Sequence, residues 1–190
     1  PEINVDDVEK HRGIISSPNC STIVMLMPLG PLHKSNPIIR IIVDTYQSAS
    51  GAGGKGVTEL LEQTKDVTSG NDMRWSTFPH PLAFNVIPHV ESFRPDGYTT
   101  EEHKLRDETR KIMHEPDMVV SATCVRVPVT VSHSEAVHVD LTDPMTPEEC
   151  RDLLRRSPGV IVQDYTDDNE YPMARDVAGR DEVFVGRIRE

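Results

Sequence analysis

The sequence predicts an α+β fold built on a mixed sheet, and three observations lead there. Stretches rich in β-branched residues (IIRIIVDTYQ, SATCVRVPVTVS, AVHVDL, GVIVQDY and EVFVGRI) outnumber the helical ones. The helical stretches are interleaved with them along the chain, and a mixed sheet carrying helices is the natural product of that order. At 190 residues the chain fits one substantial domain over 1–190 with its own core.

In chain order, GIISSPNCSTIVMLMPLGPLHK brings an apolar pair, Ile14 and Ile15, then the turn chemistry of Ser17, Pro18 and Asn19. An apolar run follows that reads as a buried helix, which Pro28 should end or kink. Residues 38–47 read as a buried strand leading into the glycine-dense SASGAGGKG, and VTELLEQTKDV as a short amphipathic helix. With Pro79, Pro81, Pro88 and Pro95 spread through it, 71–98 looks like a long surface excursion. Residues 99–114 form the clearest helix, with Thr99 or Thr100 as cap, Glu101 and Glu102 in the first turn, and Lys111 and His114 in the last. A strand from 121, a second at 136–141, a helix at 146–157 with Pro147 at its first position, and strands at 159–165 and 182–188 complete the chain.

A net charge of −11 and a pI near 5.1 argue against a nucleic-acid or anionic-membrane surface, so an anionic substrate would need a local basic pocket. No apolar stretch approaches the ~20 residues of a membrane span, and no secretory signal pattern is present. Three cysteines without close spacing suit free thiols in a reducing cytoplasm. Without a C-x-x-C, H-E-x-x-H or H-x-H pattern, no metal is expected. GAGGKG lacks both the Ser or Thr and the spacing of a phosphate loop. The chain starts PEINVDD without Met and stops straight after an apolar run, which suggests a piece cut from a longer polypeptide.

Among the cysteines, Cys20 follows a turn and opens a helix, where free N–H groups and the dipole should lower a thiol pKa, whereas Cys124 alternates with valines as a packed, inert thiol. Cys150 sits beside Glu148 and Glu149, acids that should raise its pKa. In strand alternation Cys124, Arg126, Pro128 and Thr130 share one face, and Val125, Val127, Val129 and Val131 the other. From position alone Arg126 is either an exposed strand charge or a pocket floor, and His133 a solvated turn residue or a catalyst. Gln47 ends a strand at a glycine loop, a common place for a ligand to approach backbone. Glu101, Glu102, His103 and Lys104 are most simply a solvated charged face.

Together SPNCST, TYQSASGAG, FNVIPHVESFRPDGYTTEEHKLRDETRKI and ATCVRVPVTVSHSEAV resemble the signature blocks of aspartate-β-semialdehyde dehydrogenases, in that family's order and spacing. The resemblance implies a largely antiparallel mixed sheet with helices on one face, like the C-terminal domain of glyceraldehyde-3-phosphate dehydrogenase. It implies a homodimer that interconverts aspartyl phosphate and aspartate semialdehyde with NADP through a cysteine thioester. By the same resemblance Cys20 is the nucleophile, Gln47 orients the substrate, and His133 is the general acid/base. Arg126 and Asn19 bind the substrate, with Arg126 clamping its carboxylate. Glu101 meets its ammonium, Lys104 binds phosphate, and Ser50, Gly51 and Gly53 belong to the nicotinamide-side loop. The strand with the arginine then resembles an active-site wall whose valine face packs and whose other side reads the substrate. Two positions depart from the pattern: Ser132 stands where glycine is usual, and Ser17 where Asn is frequent. The family's nucleotide-binding domain has no counterpart in these residues, so NADP would be bound mainly elsewhere and the chain alone would turn over little. A related malonyl-CoA reductase, or a non-catalytic oligomerisation module, fits the same residues.

Overall fold

The computed structural model describes residues 2–190. The elements in order are α1 (Val5–Val8), α2 (Cys20–Ser35), β1 (Ile38–Gln47), α3 (Gly53–Thr68), α4 (Thr100–Met113), β2 (Val119–Arg126), β3 (Ser134–Leu141), α5 (Pro147–Arg155), β4 (Val160–Val162), α6 (Ala174–Val177) and β5 (Val183–Val185). A three-stranded sheet runs β2-β1-β3, with β1 parallel to β2 and antiparallel to β3, and β4 pairs with β5 in a separate parallel ladder. The sheet is mixed as expected, but antiparallel pairing does not predominate. The chain between β1 and β2 contains two helices and the proline-rich segment, length enough for a parallel crossover.

Register decides what faces what. Gln47 lies beside Arg126, Thr45 between Cys124 and Glu135, and Val43 between Ala122 and Val137. Because paired residues point the same way, these rows share one face of the sheet. Met25, Leu26, Leu29 and Leu32 of α2 and Leu105 and Met113 of α4 cover that face and close the main core over Ile41, Val43, Ala122 and Cys124. The opposite face, with Tyr46, Val119 and Val125, is half-buried to exposed. The expected packing of the valine face is therefore reversed. The arginine shares the covered side, while Val125, Val127 and Val129 are half-buried and Val131 is exposed.

Helix α2 runs through Pro28 and Pro31 to Ser35 instead of ending at Pro28. Each proline forgoes a helical hydrogen bond at roughly 3 kcal/mol. Burying four large apolar side chains on the same helix, at roughly 1.5–3 kcal/mol each, offsets it. The capping boxes form where the sequence places them, Thr99 with Glu102 and Thr146 with Glu149.

The segment 71–98 is irregular but only partly superficial. Phe78, Leu82, Ala83 and Ile87 join Ala49 and Leu60 in a second small core. Two side chains of α3 hold it: Glu59 accepts from the N–H groups of Ser76 and Thr77 at 2.8 and 2.7 Å, and Gln63 Oε1 from those of Leu82 and Ala83 at 2.8 and 3.0 Å. These hydrogen bonds supply what a neighbouring strand would otherwise provide. Ile87 then exchanges both backbone hydrogen bonds with Arg126, at 3.0 and 2.9 Å, pinning the end of β2. Helix α1 and the exposed Ile14–Ile15 pair contribute no buried residue.

Candidate active site

The strand alternation ends at Arg126, and 127–133 is a loop that returns to the end of β1. Val127 N–H donates to Gln47 C=O at 2.9 Å, Ala49 N–H to Val129 C=O at 2.8 Å, and Ser50 N–H to Thr130 C=O at 3.0 Å. This zipper carries His133 to the top of the covered face beside Gln47 and Arg126. His133 Nδ1 accepts from Ser48 N–H at 3.0 Å and lies 3.1 Å from Ser48 Oγ. Burial, and then Arg126, push the imidazole pKa down, while Glu101 opposes them.

Arg126 is 7% exposed. Its Nη1 donates to Ser48 C=O at 2.7 Å, and its guanidinium carbon stands 5.6 Å from the Phe78 ring centroid. Burial lowers its pKa and Glu101, then Cys20, raise it, so the guanidinium, the carboxylate and the thiol lie within electrostatic reach of one another. Among the described residues Arg126 makes no ion pair, and Nη1 to Ser48 is its one side-chain hydrogen bond.

Glu101 is no part of a solvated face. It is 3% exposed, and Glu102 is buried as well. Glu101 Oε1 accepts from Gln47 Nε2 at 3.1 Å and Asn19 Nδ2 at 2.9 Å, and Oε2 lies 3.3 Å from Lys104 Nζ. Lys104 also pairs with Glu91 at 2.6 Å, and its pKa rises through these carboxylates although burial works against it. Glu102 turns inward to receive the Cys124 N–H at 2.9 Å, joining α4 to the sheet. A sequence-only reading sees alternating charges here; the inward turn follows from α4 lying on β2.

Cys20 opens α2 and is exposed. Its thiol pKa is raised, first by loss of solvent around the sulfur and then by the Glu101 carboxylate, which corrects the expectation of a lowered value. Asn19 Oδ1 caps the helix by accepting from the N–H groups of Ser21 and Thr22, at 3.0 and 3.2 Å, and the backbone N–H groups of Ser21 and Cys20 still pull the thiol pKa down, but less than burial and Glu101 push it up. Asn19 N–H in turn donates to Glu108 at 2.7 Å, so this residue ties α2 to α4. Cys124 is fully buried, its pKa pushed up to about 12, chiefly by burial. Cys150 is raised by burial, whereas its neighbour Arg151 lowers it; the adjacent glutamates are not the cause.

Gly51 sits against the wall: a Cβ there would lie 2.7 Å from Arg126 Nη1 and 3.2 Å from His133 Cε1. Gly53, at φ +75°, and Gly54 have nothing within 4 Å of such a Cβ. Ser50 Oγ is 2.9 Å from Ser48 Oγ. All ten residues singled out from the sequence thus gather at this end of the sheet, with Ser48 as the member that pattern reading missed. No three His, Cys, Asp or Glu side chains among the described residues converge as a metal site, and no helix among them is long and apolar enough to cross a membrane.

Ser132, just before the imidazole, adopts φ +72°, the conformation for which glycine is favoured. Ser132→Gly is therefore expected to stabilise the chain by about 1 kcal/mol, the left-handed strain relieved less the added chain entropy. Urea unfolding of both chains at one pH measures it.

A mixed sheet under two helices, with a helix-opening cysteine, a buried arginine and an imidazole at one end, defines an α+β domain that gathers a thiol, a cation and a titratable ring at one site. The description "Semialdehyde dehydrogenase, dimerisation domain" matches residues 29–190, and the chain belongs to that family. Over its whole length it is 50% identical to the aspartate-semialdehyde dehydrogenase of Aquifex aeolicus and 43% identical to that of Bacillus subtilis, spanning 57% of each. The crystal structure of aspartate semialdehyde dehydrogenase II complexed with ASA from Vibrio cholerae matches 100% of the chain with a TM-score of 0.96 at 42% identity, over 56% of that protein. The Candida albicans enzyme with NADP gives a TM-score of 0.66 at 26% identity. The chain therefore spans a little over half the length of the curated relatives.

Proposed function

We propose that residues 1–190 form the catalytic and dimerisation part of an NADP-dependent aspartate-semialdehyde dehydrogenase. In this reading Cys20 is the nucleophile that carries the acyl group as a thioester, and Arg126 clamps the substrate carboxylate through its free donors. His133 presents Nε2 to the reacting oxygen. Gln47 and Glu101 line the cleft, Asn19 holds them to the helix start, and Glu101 and Lys104 offer charges to the substrate ammonium and to phosphate. The observation that carries the reading is the buried guanidinium, which makes no ion pair among the described residues. Buried charges are ordinarily paired, and a substrate carboxylate is a fitting partner for this one.

A bound nicotinamide supplies or accepts the hydride. The open backbone at Gly53 and Gly54 leaves room for a flat ring beside Ser50 and Gly51. Only the nicotinamide edge would be held here, with the rest of NADP bound by residues outside this chain, as the relatives' greater length suggests. The half-exposed sheet face bearing Tyr46, Val119 and Val125 suits a homodimer contact, in keeping with the family's description. Three free thiols suit a cytoplasmic location.

Aspartate semialdehyde is expected to protect Cys20 from iodoacetamide by forming a hemithioacetal, whereas malonate semialdehyde, lacking the ammonium that Glu101 would meet, should protect poorly. Arg126→Leu should weaken the protection tenfold or more. Equal protection of parent and Arg126→Leu chains, measured by mass spectrometry of the Cys20 peptide, would overturn the assignment. The isolated chain given NADP, phosphate and aspartate semialdehyde should show little turnover.

A further inference from the structure

Residues 9–17, on the approach to the helix that Cys20 opens, are all exposed. Among the described residues the hydrogen bonds of 12–18 stay within 11–18, as in Gly13 N–H to His11 Nδ1 at 2.9 Å. Asn19 is the first residue after this stretch with long-range ties, and both run to α4. Its side-chain Nδ2 donates to Glu101 Oε1 at 2.9 Å, and its backbone N–H donates to Glu108 Oε2 at 2.7 Å, across 89 positions of chain. Glu101 and Glu108 stand two turns apart, about 10 Å along the helix axis, so they share a face of α4 and close on Asn19 together. Its remaining polar atoms serve α2: Oδ1 accepts from Ser21 and Thr22, and C=O from Ile23 N–H at 3.0 Å. Every polar atom of Asn19 is thereby assigned. Glu108 makes no other hydrogen bond among the described residues.

We propose that Glu108 is a positioning residue for the nucleophile: by holding the Asn19 N–H it fixes where Cys20 stands in the cleft, without itself touching substrate. The inference rests on the function proposed above, in which Cys20 attacks. Glu101 alone does not achieve this, because it grips the end of a side chain that has two rotatable bonds between it and the backbone. Glu108 grips the backbone itself, so it sets the path of the chain one residue before the sulfur. A carboxylate receiving a backbone N–H is also the stronger, charge-assisted kind of hydrogen bond. With an exposed stretch before it and the helix only beginning after it, Asn19 has no other anchor outside α2. A reacting group displaced by about an ångström loses on the order of 10² in rate, so a tie at this point bears on turnover.

Amide hydrogen exchange of 1–190 reads the tie directly. The Asn19 N–H is expected to exchange tenfold or more slower in the parent than in Glu108→Ala. Glu108→Gln, which keeps an acceptor without the charge, should stay near the parent. An Asn19 amide that exchanges as fast in the parent as those of the exposed Ile14 and Ile15 overturns the proposal, even if Glu108→Ala fails to fold. Loss of solvent around the sulfur is the chief cause of the raised thiol pKa, so a loosened helix start should let iodoacetamide alkylate Cys20 at least threefold faster at pH 8. In the intact enzyme Glu108→Ala should lower kcat tenfold or more while the KM values for aspartate semialdehyde and phosphate stay within threefold, and Glu108→Gln should restore most of kcat. A merely structural tie would lower the urea midpoint and leave kcat of the folded enzyme unmoved; that result overturns the positioning role. The exchange and alkylation measurements need neither substrate nor turnover, so failure of the proposed function and failure of this inference read out separately.

Discussion

Glu135→Met is expected to raise the resistance of the chain to urea at pH 8 and to flatten the dependence of its stability on pH. Glu135 shares a row with Thr45 and Cys124 on the covered side of the sheet, one step below the imidazole. As an edge-strand residue it is only half-buried overall, but both carboxyl oxygens are sealed from solvent and neither has a hydrogen-bond partner among the described residues. Ser21 Oγ and Thr22 Oγ1, at the start of α2, are likewise sealed and unpartnered. Burial alone pushes the Glu135 pKa up from 4.5 to about 8. The sign follows from proton binding. Between these two values the folded carboxyl keeps a proton that the unfolded one has released, so stability is fully present below pH 4.5 and is lost as pH rises through about 8. The loss is on the order of 1.4 kcal/mol per pH unit within that window. Methionine, similar in length and uncharged, removes both the titration and the unpaired oxygens. Urea midpoints at pH 5, 6.5 and 8 measure the effect, and a parent whose stability does not change over that range would show the carboxylate ionised and solvated.

Gly51→Ala should cost the intact enzyme roughly 10² in kcat/KM, the loss typical when a catalytic group is displaced by about an ångström. The added methyl would stand 2.7 Å from Arg126 Nη1, which cannot swing away without giving up Ser48 C=O and its place against Phe78. The imidazole edge, at 3.2 Å, is crowded by the same carbon. Overpacking should also lower the stability of the chain by about 1–3 kcal/mol. Steady-state kinetics beside urea unfolding separates the two effects. Parental kcat/KM in a folded variant would show that guanidinium and imidazole yield to the methyl.

Features whose causes are local in sequence could be read directly. Strand 38–47 is set by its β-branched run, the starts of α4 and α5 by Thr99 and Thr146 with a glutamate three residues on, and the inertness of Cys124 by alternation. Features whose causes lie across the fold could not. Glu101 and Glu102 look solvated until α4 is laid on β2, and Pro28 looks like a helix end until the buried stripe of α2 is counted against it. Cys20 carried the right signal for a helix start but the wrong sign for its pKa, since burial of the sulfur and the Glu101 carboxylate held by Asn19 outweigh the helix-start N–H groups. Ser48 and Glu135 had no pattern at all; only register reveals them.

The clamp of α3 on 71–98 sets where sequence change is tolerated. Because Glu59 and Gln63 grip the loop through backbone N–H groups, the loop's outward side chains are free to drift over evolutionary time while its path stays the same. The pivots Glu59 and Gln63 are not free in this way: a change at either would slacken the Phe78 ring and the Ile87 bridge, and so reach the guanidinium from a helix whose clamping residues never touch it.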